Sequence, residues 1–356
     1  MAYTNIDDPS AYFQTALYTG NATDNRAITY DGNTDMQPDF LWFKTRSTTE
    51  NHALIDSNRG ITKHLRANTT SDEKTKTTLL KSFDSNGFTL GIDSLTNSNG
   101  NTLVSWGWKA NGGTTSSNTS GTITSTVQAN TTAGFSIVTY TGNGSTGQTI
   151  GHGLGVTPDM MIVKNRSGLY NWAVYHKDSN SSPEDYYAQL NTTNAFSLAT
   201  DIFGGSAATS TVIGVKNFNE TNASGSNYVA YCFASKQGYS KFGKYVGNGS
   251  TDGNAPFVYT GFKPAFVMIK NASASTNWYM WDNKRNPYNV VNNGLNANTS
   301  NATQGTAYDT LDFLSNGFKI RDYADGTWNG SGNTIIYMAF AESSFVSSQG
   351  IPTTAR

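Results

Sequence analysis

Short apolar and aromatic runs punctuate this chain, each bounded by glycine, asparagine, serine, threonine or proline. Phe135-Ser-Ile-Val-Thr-Tyr140 and Phe257-Val-Tyr-Thr-Gly-Phe262 mix β-branched and aromatic residues between turn formers, as strands do. The runs that follow Pro38, Pro158 and Pro264 are continuously apolar, which predicts strands buried on both faces or lying at a domain interface. Asn86-Gly87, Asn248-Gly249 and Asn316-Gly317 predict hairpin turns. One short helix is expected over Ser71–Lys81, with Ser71 as N-cap, although its threonines oppose it. The pattern predicts an all-β protein of antiparallel, jelly-roll-like sandwiches.

The runs recur in order. Tyr18-Thr-Gly-Asn21 returns as Tyr140-Thr-Gly-Asn143 and Tyr245-Val-Gly-Asn248. Each is followed by a proline, an apolar run and a lysine: Pro38 to Lys44, Pro158 to Lys164, Pro264 to Lys270. Asn51-His52, Asn171-Trp172 and Asn277-Trp278 correspond, as do Asp56–Arg59 with Asp282–Arg285 and Phe83–Phe88 with Phe313–Phe318. Each copy closes on an aromatic-rich strand, ending at Trp108, Phe233 and Phe340. A period of roughly 105–120 residues exceeds the 20–50 of solenoids and propellers and matches a whole domain. The fold expected is three tandem homologous antiparallel β-sandwiches, jelly-roll or concanavalin-A-like, at 13–110, 131–236 and 237–343. An extended N-terminal arm (1–12), a Gly/Ser/Thr/Asn linker (111–130) and a C-terminal tail (344–356) complete the layout.

Composition narrows the function classes. Only 14% of the 356 residues are charged, against about 25% in a typical soluble domain, while aromatics reach 12%. That aromatic content and a net charge of −1 argue against disorder. A nucleic-acid binder needs clustered lysine and arginine, which are missing here. No apolar run of about 18 residues predicts a membrane span. The N-terminal residues carry neither the basic nor the apolar region of a secretory signal. The single Cys232 permits neither an internal disulfide nor a CxxC metal site; an inert buried thiol is expected.

Candidate chemistry is sparse. His52, His64, His152 and His176 show no metal-ligand spacing, and Gly151-His-Gly-Leu-Gly155 reads as a turn rather than a phosphate loop. Asp7-Asp8, Glu184-Asp185 and Asp322…Asp325 are the acidic pairs; turn chemistry explains them, and paired-carboxylate glycoside cleavage is the alternative. Asn97–Asn101 and Asp322–Asp325 are oxygen-rich, so structural calcium is weighed against Asx turns; no other cofactor is expected. Lys44, Lys164 and Lys270 are expected to end strands with solvated ammonium groups. Carbohydrate binding is the sharper candidate, because flat aromatics beside amides and guanidinium groups recognise sugars. Trp172 with Asn171, Trp278 and Trp281 with Asn277, and Arg59 with Arg285 form that set. The competing reading makes the repeated tryptophans core, since a repeated fold repeats its core.

The stretches Ala11–Asn21, Tyr140–Ser167, Tyr228–Ala234 and Gly238–Asn271 resemble a family of virion proteins from marine tailed bacteriophages, often described as tail-fibre-like. The resemblance spans nearly the whole chain and implies concanavalin-A-like lectin sandwiches, a location in the particle and synthesis in the host cytoplasm. It brings no catalytic residues. The expectation is therefore a non-enzymatic structural protein of the tail or tail fibre that contacts host-surface glycans. A capsid decoration or head-fibre protein without ligand is the alternative, and a glycan depolymerase the third reading. Other virion proteins are the expected partners, in a homo-oligomer. The arm, through Tyr3, Ile6, Pro9 and Tyr12, is expected to dock on a neighbouring virion protein.

Overall fold

The computed structural model describes residues 3–353 apart from 205–206, 251–252, 306–309 and 322–326. With 42% strand and 3% helix it is nearly all β, arranged as several antiparallel sheets. The α-helix among the described residues is the single turn Ser94–Asn97, N-capped by Asp93. The helix expected over Ser71–Lys81 is not formed. Lys74–Thr75 is a short strand and Leu80 opens the strand Leu80–Asp84. Three threonines stiff at χ1 disfavour the helix, and Glu73 and Lys76 are drawn instead into ion pairs with Arg59, Arg166 and Asp93.

Three large sheets share one strand order. Phe13–Thr19 lies beside Thr102–Trp108, then Phe40–Thr45, then Ala53–Asp56. The second sheet repeats this as Phe135–Thr141, Asn227–Phe233, Met160–Asn165 and Trp172–His176. The third runs Ser240–Val246, Thr334–Ser344, Phe262–Asn271 and Tyr279–Asp282. The register repeats too: Phe40 pairs with Trp108, Met160 with Phe233 and Phe266 with Phe340. A smaller sheet accompanies each, with edge strands Arg26–Thr29, Gln148–Gly151 and Phe257–Tyr259. Asn86-Gly87 and Asn316-Gly317 make the expected hairpins, pairing Asp84 with Gly87 and Leu314 with Gly317, whereas Asn248-Gly249 does not, because the strands on either side of it, Ser240–Val246 and Phe257–Tyr259, belong to different sheets. The stretch 111–130 is not a plain linker. Ser116–Asn118 and Ser125–Asn130 add two strands to the second large sheet, where Ser125 and Val127 are buried and Gln128 donates to Ser57 and Asn58 of the first copy.

The post-proline strands are buried on both faces for a specific reason. One face of each fills a cluster belonging to its own copy, through Leu41 and Phe43, Met161 and Val163, or Val267 and Ile269. The opposite face enters one cluster common to all three copies, through Phe40 and Trp42, Met160 and Ile162, or Phe266 and Met268. Trp108, Phe233 and Phe340 meet as a triangle there, with ring centroids 6.5, 6.1 and 5.6 Å apart. Burying each such ring is worth roughly 1.5–3 kcal/mol, so the shared centre couples the copies energetically.

One turn device recurs in every copy. The tyrosine of each Tyr-x-Gly-Asn donates its hydroxyl to Thr96 O, Thr221 O or Trp328 O. The following buried Asn97, Asn222 or Asn329 accepts the backbone N–H of Asn21, Asn143 or Asn248 at 2.9 Å. A Cβ on Gly20, Gly142 or Gly247 would run into the carbonyl of Ser98, Ala223 or Gly330, so only glycine fits.

Candidate functional site

The residues singled out in the sequence lead to the seams between copies, not to an open cleft. Trp172, Trp278 and Trp281 are buried at 0–1% exposure and present no ring face to a ligand. This corrects the sugar-platform expectation. The indole of Trp172 donates to Arg66 O at 2.9 Å, and that of Trp278 to Gln189 O at 3.0 Å, each in the preceding copy. Trp281 stacks on Tyr279 at 5.7 Å inside the third copy's own cluster.

The asparagines are spent as well. Asn171 and Asn277 accept from the side-chain amides of Asn191 and Asn298 at 2.8 and 2.7 Å, as Asn51 does from Asn68 at 2.8 Å. Asn68, Asn191 and Asn298 in turn accept the backbone N–H of His52, Trp172 and Trp278. Each of these three opens an Asn-Thr-Thr/Ser stretch whose carbonyls receive a lysine from another copy. Lys164 donates to Thr70 O at 3.0 Å, Lys270 to Thr193 O at 2.8 Å and Lys44 to Ser300 O at 3.2 Å. The expectation of solvated ammonium groups is therefore wrong: all three lysines are fully buried. Burial pushes them down to about 8, 8 and 7 for Lys44, Lys164 and Lys270. The contacts run second copy to first, third to second and first to third, so the ring closes. The triplets Asn68–Thr70, Asn191–Thr193 and Asn298–Ser300 were legible in the sequence as a repeat, but that reading passed over them.

Arg59 and Arg285 sit in the same seams. Arg59 grips Asp56 at 2.5 Å and Glu73 at 3.1 Å, and Tyr231 of the second copy donates to Asp56 at 2.7 Å. Glu73 also holds Arg166 of the second copy at 2.8 Å. Burial raises the Glu73 carboxyl, and Arg166 and Arg59 more than reverse this, leaving it below its ordinary value. Arg285 grips Asp282 at 2.6 Å, which accepts the Trp106 indole of the first copy at 3.0 Å. Neither guanidinium is free to bind a sugar, because a buried arginine without its carboxylate would be an uncompensated charge.

The remaining candidates follow suit. His52 accepts the Trp42 indole on Nδ1 at 2.8 Å, and its Nε2 meets Asn296 O and Thr299 O at 3.1 Å. His176 accepts Asp178 N on Nδ1 at 3.2 Å and meets Tyr337 O with Nε2 at 3.3 Å. His152 accepts Leu154 N at 3.3 Å and meets Thr209 O at 3.2 Å. Burial pushes His52 down to about 3 and His64 and His176 to about 4. Cys232 is buried and its thiol is pushed up to about 12, so it is a poor nucleophile. Asn97 spends its amide on Asn21 N, Thr23 O and Gly91 O rather than on a cation. Among the described residues no group of three His, Cys, Asp or Glu could hold a metal; Asp322–Asp325 lies outside them. Asp8 caps the turn Pro9–Ala11, Asp7 accepts from Ser348, and Glu184-Asp185 lie in the turn Pro183–Asp185.

The N-terminal arm lies on its own chain. Tyr3 donates to Gly261 O at 2.9 Å and meets the Tyr259 hydroxyl at 3.1 Å, while Thr4 donates to Gln237 O at 2.7 Å. Ile6 inserts into the common cluster, Pro9 is buried and Tyr12 meets Tyr239 at 5.9 Å. The side chains expected to reach a neighbour are thus taken up by the third copy, because the common cluster offers Ile6 an apolar seat. Exposed aromatics occur elsewhere: Phe257 and Tyr259, 46% and 47% exposed, point outward from one edge strand.

These features define a class: an antiparallel β protein with a threefold internal repeat, whose repeated polar residues lock one copy to the next. The chain belongs to the DUF7483 family, a domain of unknown function, whose model matches residues 8–344. That span takes in all three copies. No curated protein and no solved structure matches the chain.

Proposed function

We propose that this chain is a non-enzymatic structural protein of a bacteriophage particle. It carries three tandem sandwiches, jelly-roll or concanavalin-A-like, joined into one block that sits on the particle surface among other virion proteins. The particle location rests on the resemblance of the repeated blocks to phage virion proteins. One observation carries the non-enzymatic reading: the histidines, the cysteine, the repeated lysines and both arginine–aspartate pairs are buried in seams or cores. Groups so placed stabilise a scaffold rather than line a cleft. Of the two particle positions, capsid decoration fits a block whose repeated residues face inward. Mass spectrometry and cryo-electron microscopy of purified particles test this. A fixed copy number on capsid faces is expected, and a chain missing from intact particles overturns the proposal.

A second reading, a tail or tail-fibre adhesin for host glycans, is favoured by Phe257 and Tyr259. The rings stand on one face of the strand, two residues apart, and the Lys241 ammonium lies 5.3 Å over the Tyr259 ring. Glycan-array binding that disappears in Phe257→Ala and Tyr259→Ala supports this reading. Silence of the wild-type protein rejects it.

A further inference from the structure

The three seams are built on one plan but differ in two titratable groups. At the first shared position the residues are His52, Trp172 and Trp278, and each ring reaches a carbonyl of the adjoining copy. At the second they are Asp56, His176 and Asp282, paired in register with Phe40, Met160 and Phe266. Asp56 and Asp282 each accept from the facing copy, from Tyr231 and Trp106. At the corresponding place the third copy has Met338, which carries no donor, and His176 meets the neighbouring Tyr337 O instead.

Both histidines therefore fall at edges of the third copy. His52 joins the first copy to Asn296 and Thr299 of the third, and His176 joins the second to Tyr337 of the third. The seam between first and second copies is held through Trp172, Asp56, Glu73, Arg166 and Lys164 rather than through a histidine. Each boundary histidine is held as the neutral ring with its proton on Nε2, because Nδ1 accepts an N–H from Trp42 or Asp178. A second proton has no acceptor without breaking that bond.

We propose that the third copy is an acid-releasable leaf of the ring, which loosens from both neighbours at mildly acidic pH while the seam between the first two copies holds. The charged groups around the switch sharpen this. Lys44 is the charged neighbour of His52, and disfavours its protonation; Glu50 in turn favours the Lys44 charge. His176 is faced by Asp159, which favours its charge, and by Lys177 and Lys244, which oppose it. Asp178 follows it on its own segment. The lysine–carbonyl contacts occur in all three seams and so do not single out the third copy. The arm, through Tyr3 and Thr4, keeps the leaf tethered to the first copy.

A histidine freed to its ordinary value of about 6.5 favours the open state about 30-fold at pH 5, and two favour it up to about a thousandfold. Hydrogen-exchange mass spectrometry of the full chain at pH 7 and pH 5, corrected for the intrinsic pH effect, tests this. Exchange at Glu50, Thr303 and Phe196, whose amides bond carbonyls across the third copy's two seams, should rise at least about tenfold, while the Glu73 amide, bonded to Arg166 O across the seam of the first two copies, stays protected. The double variant His52→Gln, His176→Asn keeps a donor and an acceptor at each site without titrating, and should abolish the rise. An equal rise at all three seams, or none in the wild-type protein, overturns the proposal whether or not the variant folds. So does a rise that persists in a folded double variant.

Discussion

The shared centre and the outward faces of the small sheets obey opposite rules. At the centre, different side chains do one job: Trp108, Phe233 and Phe340 form a single triangle, and His52, Trp172 and Trp278 each reach a neighbouring carbonyl. On the small sheets the inward residue is constant in kind, Ile28, Ile150 or Val258, and each pairs with an apolar residue of the adjoining strand. The residues flanking it differ: Ala27 and Thr29 are exposed, Thr149 bonds Thr122, Gly151 is buried against Asn118, and Phe257 and Tyr259 are exposed. Packing constrains what is inside, and water tolerates what is outside. Tyr259 is tied to Tyr3 and Lys241, so Phe257 is the aromatic of the third copy that departs from the other two without such a contact.

The comparison can be broken most directly at the centre. Trp108→Ala should cost about 3–5 kcal/mol, because it leaves a cavity between three copies. Chemical denaturation followed by probes in each copy should show all three shifting together. A shift confined to the first copy would mean that the centre does not couple them.

Removing Asp56 should be nearly as severe. Asp56→Ala leaves the buried Arg59 guanidinium with Glu73 alone as its carboxylate and the Tyr231 hydroxyl without its acceptor, at about 3–5 kcal/mol. Thermal unfolding would read this, and Asp56→Asn should recover part of the loss.

Acid should act on the buried histidines. Their folded values, about 3 for His52 and about 4 for His64 and His176, lie below the ordinary 6.5. The unfolded chain therefore binds more protons across that interval. Stability is fully present above about pH 6.5 and falls as pH drops toward 4. Urea midpoints measured from pH 7 to 4 should decline steadily; a flat profile would show that the rings are not held neutral.

The smallest contrast lies on one strand. Val258→Ala removes buried methyl groups and should cost about 1–2 kcal/mol, whereas Phe257→Ser beside it should stay within about 0.5 kcal/mol. Equal costs for the two would mean that Phe257 packs against something in the folded chain.

Much of this architecture was legible in the primary structure. The Tyr-x-Gly-Asn turns repeat because a short hydrogen-bond cycle needs the same residues wherever it occurs. The post-proline runs announced burial on both faces because no polar residue interrupts them. The seams were not legible. Trp172 on a strand start reads the same whether it meets a sugar or Arg66 O, 106 positions away. Lys164 reads as a surface lysine until Thr70, 94 positions away, supplies its carbonyl. The arm looked available because nothing local reveals that Ile6 belongs to a cluster shared with Phe266 and Phe340. Residues 71–81 carried helix formers and threonines together, and the ion pairs of Glu73 with Arg59 and Arg166 decided the outcome.

Sequence alone therefore determined the strand content, the number of copies and the turns that bound them. All of these are consequences of backbone preference and hydrophobic periodicity within a few neighbouring residues. Tertiary structure alone decided that the copies close into a ring around one core. Only that closure turned the candidate ligand residues into seam residues, because hydrogen bonding across a seam depends on which carbonyl the fold brings within about 3 Å. No local pattern encodes that distance.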